Sequence, residues 1–300
     1  MRSKHFNLSW VLACAVMLCS VASCEKMNLG DSSSGDEEGA NVIVSIRSFE
    51  QTPFESRTRT AVSDLCSHLN FVVFNQDGER VDQKDQEIDD EDFGKTHFML
   101  PVGDYLLAVV AHSSNGNPSV NKRSAKKGAT IGFTNAKGYT DTFFAAKSLT
   151  VGDDSVHLDM GLKRVVAKVR FVNSDAIPEK ADTVRIYYEG GSGTLDVENG
   201  GWGNTNSKQM AMFPKSTFSD EFTIYTIPWP DKNYLKEVNI VAFRGSDRLT
   251  STVIDSIPIR RNCITTCRGN IFDGKVTKVS FTITVDDEWG TPIEYEIPAK

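Results

Sequence analysis

The chain has 300 residues, 33 basic and 40 acidic side chains, a formal net charge of −7 and 9% aromatic content. That acidic balance argues against nucleic acid as a partner, because phosphate binding needs a basic face. The one basic run, Lys122-Arg123-Ser124-Ala125-Lys126-Lys127, sits among Gly, Asn and Ser and reads as a solvated loop, and the length allows two domains of ordinary size.

The chain opens on Arg2 and Lys4 and an apolar run from Trp10 to Ala22. That run is too short for a bilayer-spanning helix and has the layout of a secretory signal that is removed. It ends in Val21-Ala22-Ser23-Cys24, which resembles the lipobox of bacterial lipoproteins. The resemblance implies cleavage between Ser23 and Cys24 and acylation of the Cys24 thiol. Each buried methylene then contributes about 0.8 kcal/mol, and several chains on one residue give a lasting anchor. Residues 1–23 are therefore expected to be a signal peptide, which excludes a soluble cytoplasmic enzyme. Residues 24–40, rich in Ser, Gly, Asp and Glu, have too little to bury and read as a flexible acidic linker.

Val42, Val44 and Ile46 alternate with Ile43 and Ser45, a first strand. Leu69-Asn70-Phe71-Val72-Val73-Phe74 is apolar on both faces, predicting a central strand that ends at the Asp77-Gly78 turn. Asp89-Asp90-Glu91-Asp92 lacks the Gly and Glu positions of an EF-hand and reads as loop. The stretch His97 to Ala111, broken by Pro101 and Gly103, reads as strand, tight turn, strand. After a long polar stretch, Thr142-Phe143-Phe144 and Ser148 to Val151 close a first domain spanning 41–160.

Gly161 to Val172 alternates cleanly, with Val165, Ala167, Val169 and Phe171 on a core face and Arg164, Lys168 and Arg170 on a largely wet one. Further strands are predicted at Thr183–Tyr188, Phe222–Ile227, Val238–Phe243 and Val253–Ile259. The last sets Val279, Phe281, Ile283 and Val285 against Lys278, Ser280, Thr282 and Thr284. No segment sustains a helical period, so the expected class is all-β, two β-sandwiches in tandem with the second over 161–300.

The residues that could carry chemistry are sparse. His68, His97, His112 and His157 have neither metal-like nor triad-like spacing, and His97 and His112 read as surface or edge positions. Gly190-Gly191-Ser192-Gly193 lacks the Lys and helix of a phosphate loop and reads as a flexible hairpin. Asp286-Asp287-Glu288 would alternate faces on a strand and cannot converge on one bond. Cys263 and Cys267 would lie about 13 Å apart on a strand, too far to bridge, so a disulfide from Cys66 to either stays open. No cofactor, metal site or enzymatic activity is expected. Trp202, Trp229 and Trp289, with Tyr187, Tyr188 and Tyr225, are the one candidate sugar-stacking set.

Together several motifs resemble the fimbrillin superfamily of Bacteroidetes. They are the lipobox, the acidic leash, Leu100-Pro101-x-Gly103-x-Tyr105, and Leu162-x-Arg164-x-x-Ala167-Lys168-Val169-x-Phe171. Arg261-Asn262, Gly269-Asn270-Ile271-Phe272 and the ending from Phe281 to Gly290 are similar to its FimB-type fimbrial anchor branch. The resemblance implies two transthyretin-like β-sandwiches and a pilus assembled by β-strand addition. It also implies fimbrillin shaft subunits as partners, outer membrane lipid as the holdfast and a place at the cell surface. Shaft subunits of the family lose their lipid and first strand to an Arg-directed protease, which opens an acceptor groove; anchors keep both. The candidate assembly strands are thus those of Val42, Val44 and Ile46 and of Val279, Phe281, Ile283 and Val285. Arg47, Arg57 and Arg59 are the candidate processing sites. The expected role is a lipid-anchored subunit that attaches the pilus and limits its length. The alternatives are a processed shaft or tip adhesin, or a glycan-binding surface lipoprotein.

Overall fold

The structure, a computed structural model, describes residues 40–49, 61–121, 128–203, 208–230, 233–273, 282–286 and 293–295. They belong to one compact unit, Ala40–Lys300. The first half runs β1 (Val42–Phe49), β2 (His68–Asn75), β3 (Arg80–Glu87), β4 (Lys95–Phe98), β5 (Gly103–His112), β6 (Ser119–Asn121), β7 (Thr130–Gly132), β8 (Phe143–Val151) and β9 (Val156–Arg164). The second runs β10 (Ala167–Asn173), β11 (Thr183–Glu189), β12 (Thr194–Asp196), β13 (Lys208–Pro214), β14 (Glu221–Thr226), β15 (Tyr234–Arg244), β16 (Asp247–Pro258), β17 (Ile264–Gly269), β18 (Thr282–Asp286) and β19 (Ile293–Tyr295). Among the described residues the helical turns are two short 3-10 turns, Val62–Asp64 and Lys215–Thr217. The chain is all-β, as its short alternating runs predict.

The first half forms a seven-stranded sheet in the order β3-β2-β5-β8-β9-β1-β4. β9 touches β8 over only two residue pairs, Phe143↔Arg164 and Phe144↔Lys163. The sheet turns there, and its two limbs enclose a core of Val42 and Val44, Phe71 and Val73, Leu107 and Val109, and Met160 and Leu162. The second half stacks β14-β10-β17-β18-β19 on β13-β11-β15-β16, around Val169, Phe171, Ile186, Ile224, Val238, Ile240 and Ile254. A third small sheet, β12-β7-β6, covers the outer face of β2 and β5. Val72, Phe74, Ala108 and Val110 pack there on Ile131, Leu195 and Val197, together with Val165, Val166 and Ile227. This second covering layer is why β2 reads apolar on both faces.

Several expectations need correction. The strands on either side of Pro101 do not pair with each other: β4 pairs with β1, and β5 with β2 and β8. Leu100 to Tyr105 therefore crosses between limbs. The run Gly161 to Val172 is interrupted at Val165-Val166, where β9 ends and β10 begins. The change of sheet system thus comes after Arg164, and residue 160 falls inside β9. β6, β7, β12 and β13 lie in stretches that carry no alternating apolar signal. Gly190 to Gly193 is a packed crossing rather than a flexible hairpin. Ser192 is fully buried, a Cβ on Gly191 would lie 1.9 Å from Thr226 Oγ1, and one on Gly193 would lie 2.4 Å from the Tyr139 ring.

His112 is fully buried and not at an edge. Its Nδ1 accepts from Ser114 N (3.1 Å) and its Nε2 meets Asn70 Oδ1 at 2.9 Å, which fixes a neutral ring with the proton on Nε2. His68 stacks on it at 5.0 Å. Burial, with His68 and Lys137 nearby, holds its pKa down at about 3. Cys66, Cys263 and Cys267 are buried thiols that no disulfide joins to one another. Burial pushes Cys66 and Cys267 up to about 12, so neither is a reactive thiolate.

Candidate functional site

The first strand is inserted rather than appended. β1 runs antiparallel to β4 through Val42↔Phe98 to Ser45↔Lys95 and parallel to β9 from Val42↔Val156 to Phe49↔Leu162. Both its edges are therefore bonded. Val42 and Val44 are fully buried and Ile46 nearly so, because the period-2 alternation places all three on the core side of the strand. Each such side chain contributes about 1.5–3 kcal/mol, so withdrawing β1 would forfeit roughly 5–9 kcal/mol of burial alone. It would also bare the facing edges of β4 and β9, a ready template for another strand.

Local chemistry fixes both ends of this strand. At its start, Asn41 Nδ2 donates to Leu100 O (2.7 Å) and Leu100 N donates to Asn41 Oδ1 (2.9 Å). The same crossing is braced by Tyr105, whose hydroxyl donates to Pro101 O at 2.9 Å. At its far end the register with β9 slips between Ile46 and Ser48, which makes Arg47 the bulged residue. Arg47 Nε meets Asp159 Oδ1 at 2.7 Å, and both side chains are about two-thirds exposed. Such a pair contributes little, at most about 1 kcal/mol. Past the bulge β1 runs hard against β9, where a Cβ on Gly161 would lie 2.9 Å from Ser48 Oγ.

From Phe49 a set of contacts leads into the second half. The Phe49 ring meets Phe143 edge-on at 5.0 Å, and the Arg164 guanidinium lies 4.5 Å from the Phe143 ring centre. Arg164 is buried. Its Nε and Nη2 donate to the two Asp141 carboxylate oxygens at 2.7 and 2.8 Å, and its Nη1 donates to Asn262 Oδ1 at 3.0 Å. Arg261 Nη1 donates to Arg164 O (2.7 Å), and Asn262 N to Val166 O (2.9 Å). Asn262 sits at φ +60°, a left-handed turn that Asn tolerates better than most residues. Immediately after it, β17 joins β10 in parallel and carries β18 and then β19 to the sheet edge. Ile271 and Phe272, just beyond β17, are held by donating their backbone N–H groups to the Asp175 carboxylate at 2.8 and 2.6 Å.

The family model for fimbrillin-A associated anchor proteins Mfa1 and Mfa2 matches residues 34–294. The chain belongs to this family. Its fold is similar to that of a candidate polysaccharide-binding protein of Bacteroides thetaiotaomicron, at 10% identity and TM-score 0.50, covering 86% of this chain and 98% of that one. It is also similar to a fimbrial assembly protein of Parabacteroides distasonis (12% identity, TM-score 0.45, 85% and 98% covered). The fimbrial anchor protein Mfa2 of Porphyromonas gingivalis is a further similar structure (11%, 0.46, 84% and 98%). None of the curated proteins matches. Membership in the Mfa1 and Mfa2 anchor family makes the chain a fimbrial subunit.

In this anchor-family chain, Ser23, Cys24, Arg57, Arg59, Val279, Phe281 and Trp289 lie outside the described residues. Arg47 lies on a strand bonded at both edges up to Ser45 and Ile46. Ile283 and Val285 lie on β18, paired with Cys267 and Thr265 of β17. The aromatic set is not one platform. Trp202 and Trp229 meet with ring centres 3.8 Å apart, Tyr188 is buried with its hydroxyl on Tyr225 O, and Tyr187 faces outward from β11. Arg164 is the residue that pattern reasoning misplaces, and Asp141 and Asn262 are the partners it does not find. Alternation puts Arg164 on the wet face, and nothing in its own neighbourhood announces a counterion 23 residues upstream.

Proposed function

We propose that this fimbrial subunit is a lipid-held anchor. It keeps its first strand, attaches a pilus to the outer membrane through acylated Cys24, and joins the neighbouring shaft subunit by strand exchange without any enzymatic step. The observation that supports this reading best is β1. With Val42, Val44 and Ile46 buried and both edges bonded, a chain that retains β1 has no open groove there for a neighbour's strand. Growth at this subunit can then proceed only from another element. The pair β18 and β19 ends the five-stranded sheet. Backbone groups of such an edge provide affinity, and the alternation of side chains along an added strand sets register. A subunit blocked at one end and tethered by lipid terminates the fibre and limits its length.

The mass of the intact protein purified from native outer membranes tests the reading. A species that begins at an acylated Cys24 is expected. A species without lipid that begins after Arg47, Arg57 or Arg59 would overturn it in favour of a processed shaft or tip subunit with an open groove. Cys24→Ala should release the protein and its attached pili into the medium, and pili that stayed cell-bound would likewise sink the anchor role.

A further inference from the structure

The β13-β11-β15-β16 sheet turns Ile186, Val238, Ile240 and Ile254 into the core of the second half. Its other face should be polar, as the wet side of an antiparallel sheet is. At its centre it is not. Met212 is 59% exposed, Val253 51% and Tyr187 37%, and register brings the three together. Tyr187 stands across from Met210 on one side and Asn239 on the other, and Asn239 stands across from Val253. One row along, Arg185 lies between Met212 and Val241. An exposed apolar patch with a charged rim marks a contact surface.

The charges of this face are sorted along the strands. On one side of the Tyr187 row come Arg185 and then Arg248, which stands across from Phe243. On the other side Glu189, Glu237 and Asp255 share a row with Lys208, three carboxylates to one amine. Carboxylates directly opposite on paired strands repel, and Glu189 and Glu237 are placed so. The Arg185 guanidinium lies 4.6 Å from the Phe243 ring centre. Its Nε is buried and has no hydrogen-bond partner among the described residues. The nearby Asp182 carboxylate instead accepts from Gly245 N at 2.6 Å.

A partner of a single sign would be repelled by one end of this face. A second copy of the same chain is not. Sheets pack face to face about 10 Å apart. A two-fold axis lying between two such faces, across the strands and through the Tyr187 row, turns one face end for end. Tyr187 then meets Tyr187 of the second copy, and the Arg185 row of each copy meets the Glu189 row of the other, twice per interface. Each guanidinium gains a carboxylate, and each acidic row gains a cation. Four strands over the seven residues of β11 give a footprint of roughly 20 Å by 20 Å, small beside the about 800 Å² per partner of a standard interface. The contact is therefore weak. We propose that two copies of the subunit pair through this face, with Arg185, Tyr187 and Glu189 of β11 at its centre, independently of how the subunit is anchored.

The test is sedimentation velocity of the full-length chain in detergent micelles, with micelles in large excess over protein. A reversible dimer with a Kd of about 10–100 µM is expected. Tyr187→Ser, on the axis, should weaken it about tenfold. Arg185→Glu and Glu189→Arg each set like charges across the axis and should each weaken it about tenfold or more. Mixed in equal amounts, these two single variants carry complementary charges at both contacts and should associate within about threefold of the parent chain. Arg185 also covers Phe243, so the urea midpoint of each variant is compared with that of the parent. If Arg185→Glu does not fold, Tyr187→Ser and Glu189→Arg decide the matter by themselves. The assignment is overturned if the parent chain stays monomeric at about 200 µM, if Tyr187→Ser or Glu189→Arg dimerises like the parent, or if the mixed, folded single variants form no more dimer than either alone.

Discussion

Replacing Asp141 by Ala strips the buried Arg164 of its carboxylate while leaving the guanidinium in place. The Arg164 side chain is 6% exposed and that of Asp141 25%. Removing one partner of a buried pair costs about 3–5 kcal/mol, because the other charge stays desolvated. Here Asn262 still accepts one N–H and the Phe143 face still lies under the cation, and the more exposed side admits some water. The expected loss is therefore about 2–4 kcal/mol. In urea, with a slope of about 2–3 kcal/mol per molar, the unfolding midpoint read by tryptophan fluorescence should fall by roughly 1 M. Arg164→Leu with Asp141→Leu removes both charges, and the double variant should recover about 1–3 kcal/mol relative to the sum of the single losses. Amide exchange adds a positional readout. The bonds Asn262 N to Val166 O and Lys168 N to Cys263 O should open in Asp141→Ala at lower free energy than the amides of β2. A single-variant loss below about 1 kcal/mol, or strictly additive single changes, would refute the idea that this pair locks the junction.

Acid should weaken the fold through His112. Its folded pKa is about 3 against an ordinary 6.5, so the unfolded chain takes up the proton first. Stability is complete above pH 6.5 and declines as pH falls from there toward 3, by on the order of 4 kcal/mol in total. Urea midpoints measured across that window should fall more steeply in the parent chain than in His112→Gln, and parallel curves would contradict the assignment. Gly193→Ala should cost about 2–4 kcal/mol, since its Cβ has nowhere to go beside the Tyr139 ring. Gly152→Ala, with open space around it, should change the thermal midpoint little, and equal effects at the two sites would show that the crossing can yield. Tyr105→Phe, which removes only the bond to Pro101 O, should cost about 0.5–1.5 kcal/mol in the same unfolding assay; a loss beyond that range would mean the hydroxyl does more than brace this crossing.

What the sequence determines by itself is local. Alternation at Val42, Val44 and Ile46 and at Val169 and Phe171 is enough to place strands and their core faces, because side chains on a strand swap sides at every residue. The doubly apolar run from Leu69 to Phe74 is enough to say that a strand has cover on both sides. Short strands such as β7 and β12 escape that reading, since three residues carry no period; they hold by pairing within the β12-β7-β6 sheet and by packing Ile131 and Leu195 on the outer face of β2 and β5. Strand partners escape it too. Pro101 and Gly103 look like the tip of a hairpin, yet β4 goes to β1 and β5 to β2; a break in a strand reports that the chain turns, not which edge it joins next.

Tertiary structure alone decides where charge can be buried and where β1 is inserted. Arg164 has the alternation of a surface residue, but Asp141 and the Phe143 ring from one segment and Asn262 from another converge on it. The cost of its burial is met by partners that no window of sequence contains. In the same way β1 is an ordinary alternating strand by pattern, and only the folded chain places it between β4 and β9 with no edge to spare. Hydrophobic periodicity encodes which face of a strand is dry. Which strands lie beside it depends on closing loops across the whole chain, and that is settled by the sum of the packing.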